Sequence, residues 1–152
     1  MSAYLDGLKM LARRELSEAQ VRQRLARRDH SPESIDSAVT RLKAERAIDD
    51  SRVAEAIART ETAVRRRGRM RVRLQIERAG IAPATARQAI ETVFSDVDDQ
   101  ALIEAALGKR LRGPSPIRDD REFQRLYRYL IGQGFDRDRV MKTLVARRRQ
   151  QR

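Results

Sequence analysis

The apolar positions of this chain fall into one spacing that occurs three times. Val21, Leu25, Ile35, Val39 and Leu42 stand at relative positions 0, 4, 14, 18 and 21, and Val72, Ile76, Ala86, Ile90 and Val93 stand at the same offsets. Leu126, Leu130, Val140 and Leu144 repeat the first four, and Arg147 breaks the fifth. Apolar residues four apart share a helix face, so each unit predicts two helices with one buried stripe apiece. Offset 8 holds Asp29, Gly80 and Gly134; just after it come Ser31 and Pro32, Ala82 and Pro83, and Asp136. Glycine suits the left-handed residue that ends a helix. Ser or Asp caps the next helix, and Pro is favoured at its first position.

A further helix precedes each pair. The first is expected over 3–15, with Tyr4, Leu8 and Leu11 on one stripe. Ser17 to Gln20 matches a capping box and opens a helix to about 28. Others follow over 32–46, 50–66, 69–79 and 83–94. DDSRVAEAIA at 49 aligns with DDQALIEAAL at 98, which marks the first helix of the second and third units. Gly113, Pro114, Ser115 and Pro116 predict a loop, and helices over 121–133 and 137–148 complete the pattern. The fold class expected is all-α: three tandem three-helix, helix-turn-helix-like repeats at 1–48, 49–96 and 97–152. Repeats of this kind stack into an extended, curved array about 60 Å long, and such surfaces bind partners. One segment conflicts: 69–76 alternates basic and apolar residues, a strand period. Its Arg, Met, Leu and Gln are good helix formers, and Val72 and Ile76 fill the helical slots, so helix is expected.

Composition narrows the function classes. The 152 residues include no cysteine, which excludes disulfides and thiolate metal sites. No apolar run approaches the ~20 residues of a membrane span, and the start MSAYLDGLKML lacks a signal-peptide pattern. A cytoplasmic protein without a membrane role is expected. The one histidine, His30, sits in a turn slot where a surface polar residue is expected. No nucleophile–base pair, phosphate loop or dinucleotide motif occurs, so no enzyme, cofactor or metal is expected. Asp49 and Asp50, Asp98 and Asp99, and Asp119 and Asp120 lie at helix starts, where capping is the expected role. Tyr127, Tyr129 and Phe135 are expected to pack into the core.

Charge changes the picture most. Lys and Arg total 34 against 22 Asp and Glu, a net +12, and only four of the 34 are Lys. The excess concentrates in four places: Arg22, Arg24 and Arg28 on the first middle helix; Arg65, Arg66, Arg67, Arg69 and Arg73 around the second; Arg121, Arg125 and Arg128 on the third; and the basic C-terminal tail, where 136–152 carries a net +5. Arg65, Arg66, Arg69 and Arg73 share one helix face if the helices either side of 67 are nearly continuous. Such an excess repels itself unless a polyanion or acidic surface is near. Weak, nonspecific binding of single-stranded and duplex DNA follows as an expectation.

The segments LARRELSEAQVRQRLARR at 11–28, AIDDSRVAEAIAR at 47–59, RRGRMRVRLQIERAGI at 66–81 and YLIGQGFDRDRVMKTL at 129–144 resemble the RecX family of RecA regulators. The resemblance spans nearly the whole length. The family usually has Gly and an aromatic where this chain has Asp29 and His30, and an aromatic where it has Val53. The resemblance implies an all-α, non-enzymatic protein that lies in the groove of the RecA–single-stranded-DNA filament, and a monomer is expected. It further implies inhibition of ATP hydrolysis, strand exchange and co-protease activity. Two rival classes remain. One is a helix-turn-helix transcription factor, whose second helix reads the major groove with its N-terminal residues. Here those residues include Glu33 and Asp36, or Pro83 and Ala84. The other is a basic RNA-binding array.

Overall fold

The structure, a computed structural model, describes residues 1–111 and 116–149. Among the described residues there are nine helices and no strand: α1 (Ala3–Arg13), α2 (Glu18–Arg27), α3 (Pro32–Ala44), α4 (Asp50–Ala63), α5 (Arg69–Arg78), α6 (Pro83–Phe94), α7 (Asp99–Leu111), α8 (Asp120–Gly132) and α9 (Arg137–Arg149). The alternating segment 69–76 is helical. The expected loop at 113–116 lies outside the described residues except for Pro116, and so does the end of the basic tail, 150–152.

The hairpin punctuation acts as the sequence predicts. Asp29, Gly80 and Gly134 take positive φ values of 64°, 80° and 95°. After α2 the amides of Asp29 and His30 donate to the carbonyls of Ala26 and Leu25; after α8 those of Gly134 and Phe135 donate to Ile131 and Leu130. Both are the paired closure of a Schellman motif. Ser17 caps α2 in a complete capping box, and Ser31 caps α3 with Pro32 at its first position. Asp49, Asp98 and Asp119 each accept a backbone N–H from their helix's first turn, so the first acid of each pair is a cap. All fourteen repeat positions are buried, none more than 9% exposed, and Leu25, Ile76 and Leu130 are fully buried.

The chain packs as two compact units, Met1–Ile57 with Gln75–Ala89, and Ala58–Leu74 with Ile90–Arg152. Their borders fall within α4, α5 and α6. In the first unit, Leu16, Val21, Leu25, Val39 and Leu42 centre the core. Its α1 stripe differs from the expected one: Ala3, Asp6, Gly7 and Met10 are buried, while Tyr4, Leu8 and Leu11 flank them half-buried. Gly7 sets this register, because a Cβ there would lie 2.8 Å from the Cδ1 of Leu42. In the second unit, Ile103, Leu107, Leu126, Leu130, Phe135, Val140 and Leu144 form the core, with Tyr127 and Tyr129 packed at its margin.

The first helices of the first two sequence repeats end sooner than periodicity alone suggests, α1 at Arg13 and α4 at Ala63. The second case matters for the charge. α4 and α5 are not continuous. Arg66 takes φ 53°, the amide of Arg67 donates to the Glu61 carbonyl, and the amide of Gly68 donates to the Gln133 carbonyl at 2.8 Å. These bonds redirect the chain, so Arg65 and Arg66 do not share a helix face with Arg69 and Arg73.

Candidate interaction surface

Positive charge is divided unequally. The first unit carries 13 Lys and Arg against 11 Asp and Glu, a net +2; the second carries 21 against 11, a net +10. The first unit also pairs its charges internally. Arg22 reaches Glu18 at 3.0 Å and Asp36 at 2.6 Å, and Lys43 reaches Glu18 at 2.8 Å. These cations hold the Glu18 carboxyl below its ordinary pKa, the Lys43 bond contributing most. Arg28 and His30 both bond the buried carboxylate of Asp6, at 3.1 and 2.6 Å, and the His30 bond does most to lower its pKa. His30 is thus half-buried and partnered, not the surface residue expected. Arg24 is exposed and makes no ion pair among the described residues.

The basic segment between α4 and α5 holds residues with different tasks. Arg67 is committed to the fold: its side chain is 17% exposed and bonds the buried Glu61 carboxylate at 2.8 Å. Arg65 is exposed and stands 3.8 Å from the same carboxylate. Arg66 is half-buried in the turn. Arg69 pairs with Asp99 at 3.2 Å and lies over the Phe94 ring, 4.7 Å from its centroid. Arg73 is exposed on α5. Interleaved with them are large apolar side chains in water: Val64 and Met70, each 68% exposed, and Leu74, 39% exposed. Met70, Arg73 and Leu74 lie three and four apart and share one face of α5. Met70 also lines a cleft of about 290 Å³ with Phe135 and Arg139. The sequence carries this signal, since Val72 and Ile76 take the buried slots and leave Met70 and Leu74 outside.

On α8, Arg121, Arg125 and Arg128 are exposed and make no ion pair among the described residues. Nearby, Arg118 bonds Glu122 through its backbone N–H at 3.1 Å and its guanidinium at 2.9 Å; the backbone bond contributes most to holding that carboxyl below its ordinary pKa. Arg110, Arg118, Arg125 and Tyr129 line a cleft of about 190 Å³, with the Arg110 guanidinium 4.0 Å from the Tyr129 ring centroid. Arg110 and Arg118 were not singled out from the sequence. Their partners lie in other elements, so spacing carries no signal for them. No group of three or more His, Cys, Asp or Glu side chains placed to hold a metal ion occurs among the described residues, and no helix among them is long and apolar enough to cross a membrane.

Comparison with known proteins places the fold. A family model described as the first three-helix domain of RecX matches residues 3–42. The chain is similar to the crystal structure of RecX from Lactobacillus salivarius, with a TM-score of 0.82 at 20% identity, covering 96% of this chain and 94% of that one. It also matches a crystal structure of a regulatory protein RecX at TM-score 0.79 and 22% identity, over 95% of this chain and 70% of that one. At that identity the likeness speaks for the fold. Sequence carries the rest. The regulatory protein RecX of Halorhodospira halophila is 31% identical over 92% of this chain and 84% of its own length. That of Chromohalobacter salexigens is 36% identical over 92% of this chain and 89% of its own length. With a relative this similar over nearly its full length, the chain belongs to the RecX family of regulatory proteins.

Proposed function

We propose that this chain is a non-enzymatic, monomeric, cytoplasmic regulator of the RecA recombinase that lies in the groove of the RecA–single-stranded-DNA filament. Bound there, it inhibits ATP hydrolysis, strand exchange and co-protease activity. Family membership supports the RecA connection. The observation that carries the docking is the segment from Val64 to Leu74, where exposed Met70, Leu74 and Val64 stand among Arg65, Arg66 and Arg73. Methionine and arginine are enriched at protein interfaces, and methionine adapts to irregular partner surfaces. A mixed apolar and cationic face fits an acidic protein surface with apolar ground between its carboxylates. The hairpin design repeated in sequence, at 1–48, 49–96 and 97–152, supports contact with more than one protomer. Linked contacts raise avidity without new chemistry.

The transcription-factor reading is disfavoured by where the charge lies. In two of the three hairpins the second helix opens without a cation, α3 with Pro32 and Glu33 and α6 with Pro83 and Ala84, and only α9 opens with arginines, Arg137 and Arg139 about Asp138. A recognition helix needs its donors at the start of the second helix of the hairpin.

The test is RecA ATP hydrolysis and strand exchange on single-stranded DNA with substoichiometric amounts of the chain. Inhibition below one copy per RecA protomer supports the reading; unchanged rates at saturating amounts remove it.

A further inference from the structure

We propose that the exposed face of α8, carried by Arg121, Arg125 and Arg128, is the surface of this chain that binds the sugar–phosphate backbone of a single nucleic-acid strand, distinct from the α5 face that docks protein. The assignment deepens the filament reading, which supplies the strand; its binding assay is run without RecA, and RecA turnover is measured separately to tell the two readings apart.

A helix turns about 100° per residue, so Arg121, Gln124, Arg125, Arg128 and Gly132 fall in one sector of α8. All five are exposed. No carboxylate stands among them. Asp120, at the margin, is bonded by Arg148 at 2.5 Å, and Glu122 is buried and bonded by Arg118. Arg121, Arg125 and Arg128 make no ion pair within 4 Å among the described residues, Arg125 acting on the Glu122 carboxylate only at longer range, whereas Arg22, Arg28, Arg67 and Arg69 each hold a carboxylate directly. Like charges three and four apart on a helix destabilise it, so the bare protein carries a repulsion that a bound polyanion relieves. The three guanidinium groups arise from positions spanning about 10 Å of helix axis, close to three nucleotides of a strand that rises about 3.4 Å per residue. Arginine's planar fork suits phosphate oxygens.

Two further features favour a strand over an acidic protein. The face has no large apolar residue between its arginines, and only Ile131, 36% exposed, lies at its far edge beyond Arg128, unlike the Met70 and Leu74 face of α5. Gly132 extends it with nothing within 4 Å of where a Cβ would sit, so packing does not call for glycine there. The bare backbone leaves room for a close chain. Arg125 also joins Arg110 and Arg118 at the cleft beside Tyr129, which continues the positive surface off the helix.

The experiment is fluorescence anisotropy of a fluorescein-labelled oligothymidylate with the full chain, RecA absent, over a salt series. The variant is Arg121→Gln, Arg125→Gln and Arg128→Gln together. The control is Arg13→Gln, Arg27→Gln and Arg87→Gln, three exposed arginines of the first unit, which lowers net charge equally. Circular dichroism checks that both remain helical, and an Arg-to-Lys version of the α8 variant keeps the charge in place. Each phosphate contact on a single strand contributes about 0.7 to the log–log salt slope, so the α8 variant is expected to lose about 2 from its slope and the control and Lys versions almost none. An α8 variant with wild-type slope and affinity, or a control that loses as much, overturns the assignment. So does an α8 variant that binds the oligonucleotide normally but no longer inhibits RecA, because the face then docks protein. A wild type that binds the strand through α8 and leaves RecA turnover untouched upholds this assignment and removes the filament reading.

Discussion

Gly80 faces Ala19 so closely that a Cβ on the glycine would lie 2.5 Å from the Cβ of Ala19. Beside this contact the Ser17 hydroxyl donates to the Ala79 carbonyl at 2.5 Å. The start of α2 thus sits on the end of α5. The second unit repeats the arrangement: a Cβ on Gly134 would overlap the backbone nitrogen of Arg71, and the amide of Met70 donates to the Gly134 carbonyl at 3.1 Å. The start of α5 sits on the end of α8. Asp29 holds the equivalent left-handed position in the first hairpin, and it is exposed. Gly80→Ala and Gly134→Ala should therefore each destabilise the fold, by on the order of 1–3 kcal/mol for the backbone conformation alone, with the overlap added. Asp29→Gly should stay within about 1 kcal/mol of the wild type. Urea melts of the three variants check this; a Gly80→Ala protein as stable as the wild type would contradict it.

The equivalence of Leu25, Ile76 and Leu130 makes a second prediction. All three are fully buried, so truncation to Ala should cost about 2–5 kcal/mol at each. Ile76→Asp should cost more, because it buries an unpaired charge. Thermal denaturation reads both.

Arg67 should behave as a structural residue. Arg67→Ala leaves the buried Glu61 carboxylate without its 2.8 Å partner, and only Arg65 remains nearby, at 3.8 Å. The expected loss is on the order of 1–3 kcal/mol, whereas Arg65→Ala should shift stability by less than ~0.5 kcal/mol. Equal and negligible effects in denaturant titrations would contradict the assignment.

The Asp6 cluster gives a pH dependence. Asp6 has its folded pKa lowered below the ordinary 3.8, first by the His30 bond and then through Arg28, against burial. A lowered carboxylate contributes stability above its unfolded pKa and loses it as pH falls through the folded value. The stability difference between the wild type and Asp6→Asn should therefore be full above about pH 4 to 5 and shrink on further acidification. A difference that grows toward low pH would contradict the pairing.

Much of the fold was legible because burial alone dictates it: fourteen apolar positions, three left-handed residues and the helix caps follow from spacing and local chemistry. The misses share one cause. His30 meets Asp6 across 24 residues, and that pairing arises only once α1 packs beside α2. The break at Arg66 is held by a bond from Gly68 to Gln133, and no local signal marks a non-glycine residue there for positive φ. The alternation at 69–76 drew attention to its arginines and hid Met70 and Leu74, whose exposure follows once Val72 and Ile76 are seen to take the core.

The break between α4 and α5 also sorts the arginines around it for mutation. Arg69→Glu would set a second carboxylate against Asp99 and remove the cation over Phe94. It should lower the melting temperature, while Arg66→Glu should not. Interface variants that keep Arg67 and Arg69 therefore separate binding from folding.

The central claim is that the exposed α4–α5 segment docks this chain on the RecA filament. The direct measurement is RecA ATP hydrolysis on single-stranded DNA, titrated with the wild type and with a variant carrying Arg65→Glu, Arg66→Glu, Met70→Asp and Arg73→Glu, its helical spectrum checked in parallel. The account predicts substoichiometric inhibition by the wild type and at least a tenfold loss of potency in the folded variant. A folded variant that inhibits at wild-type potency, or a wild type that leaves RecA turnover unchanged, would contradict it.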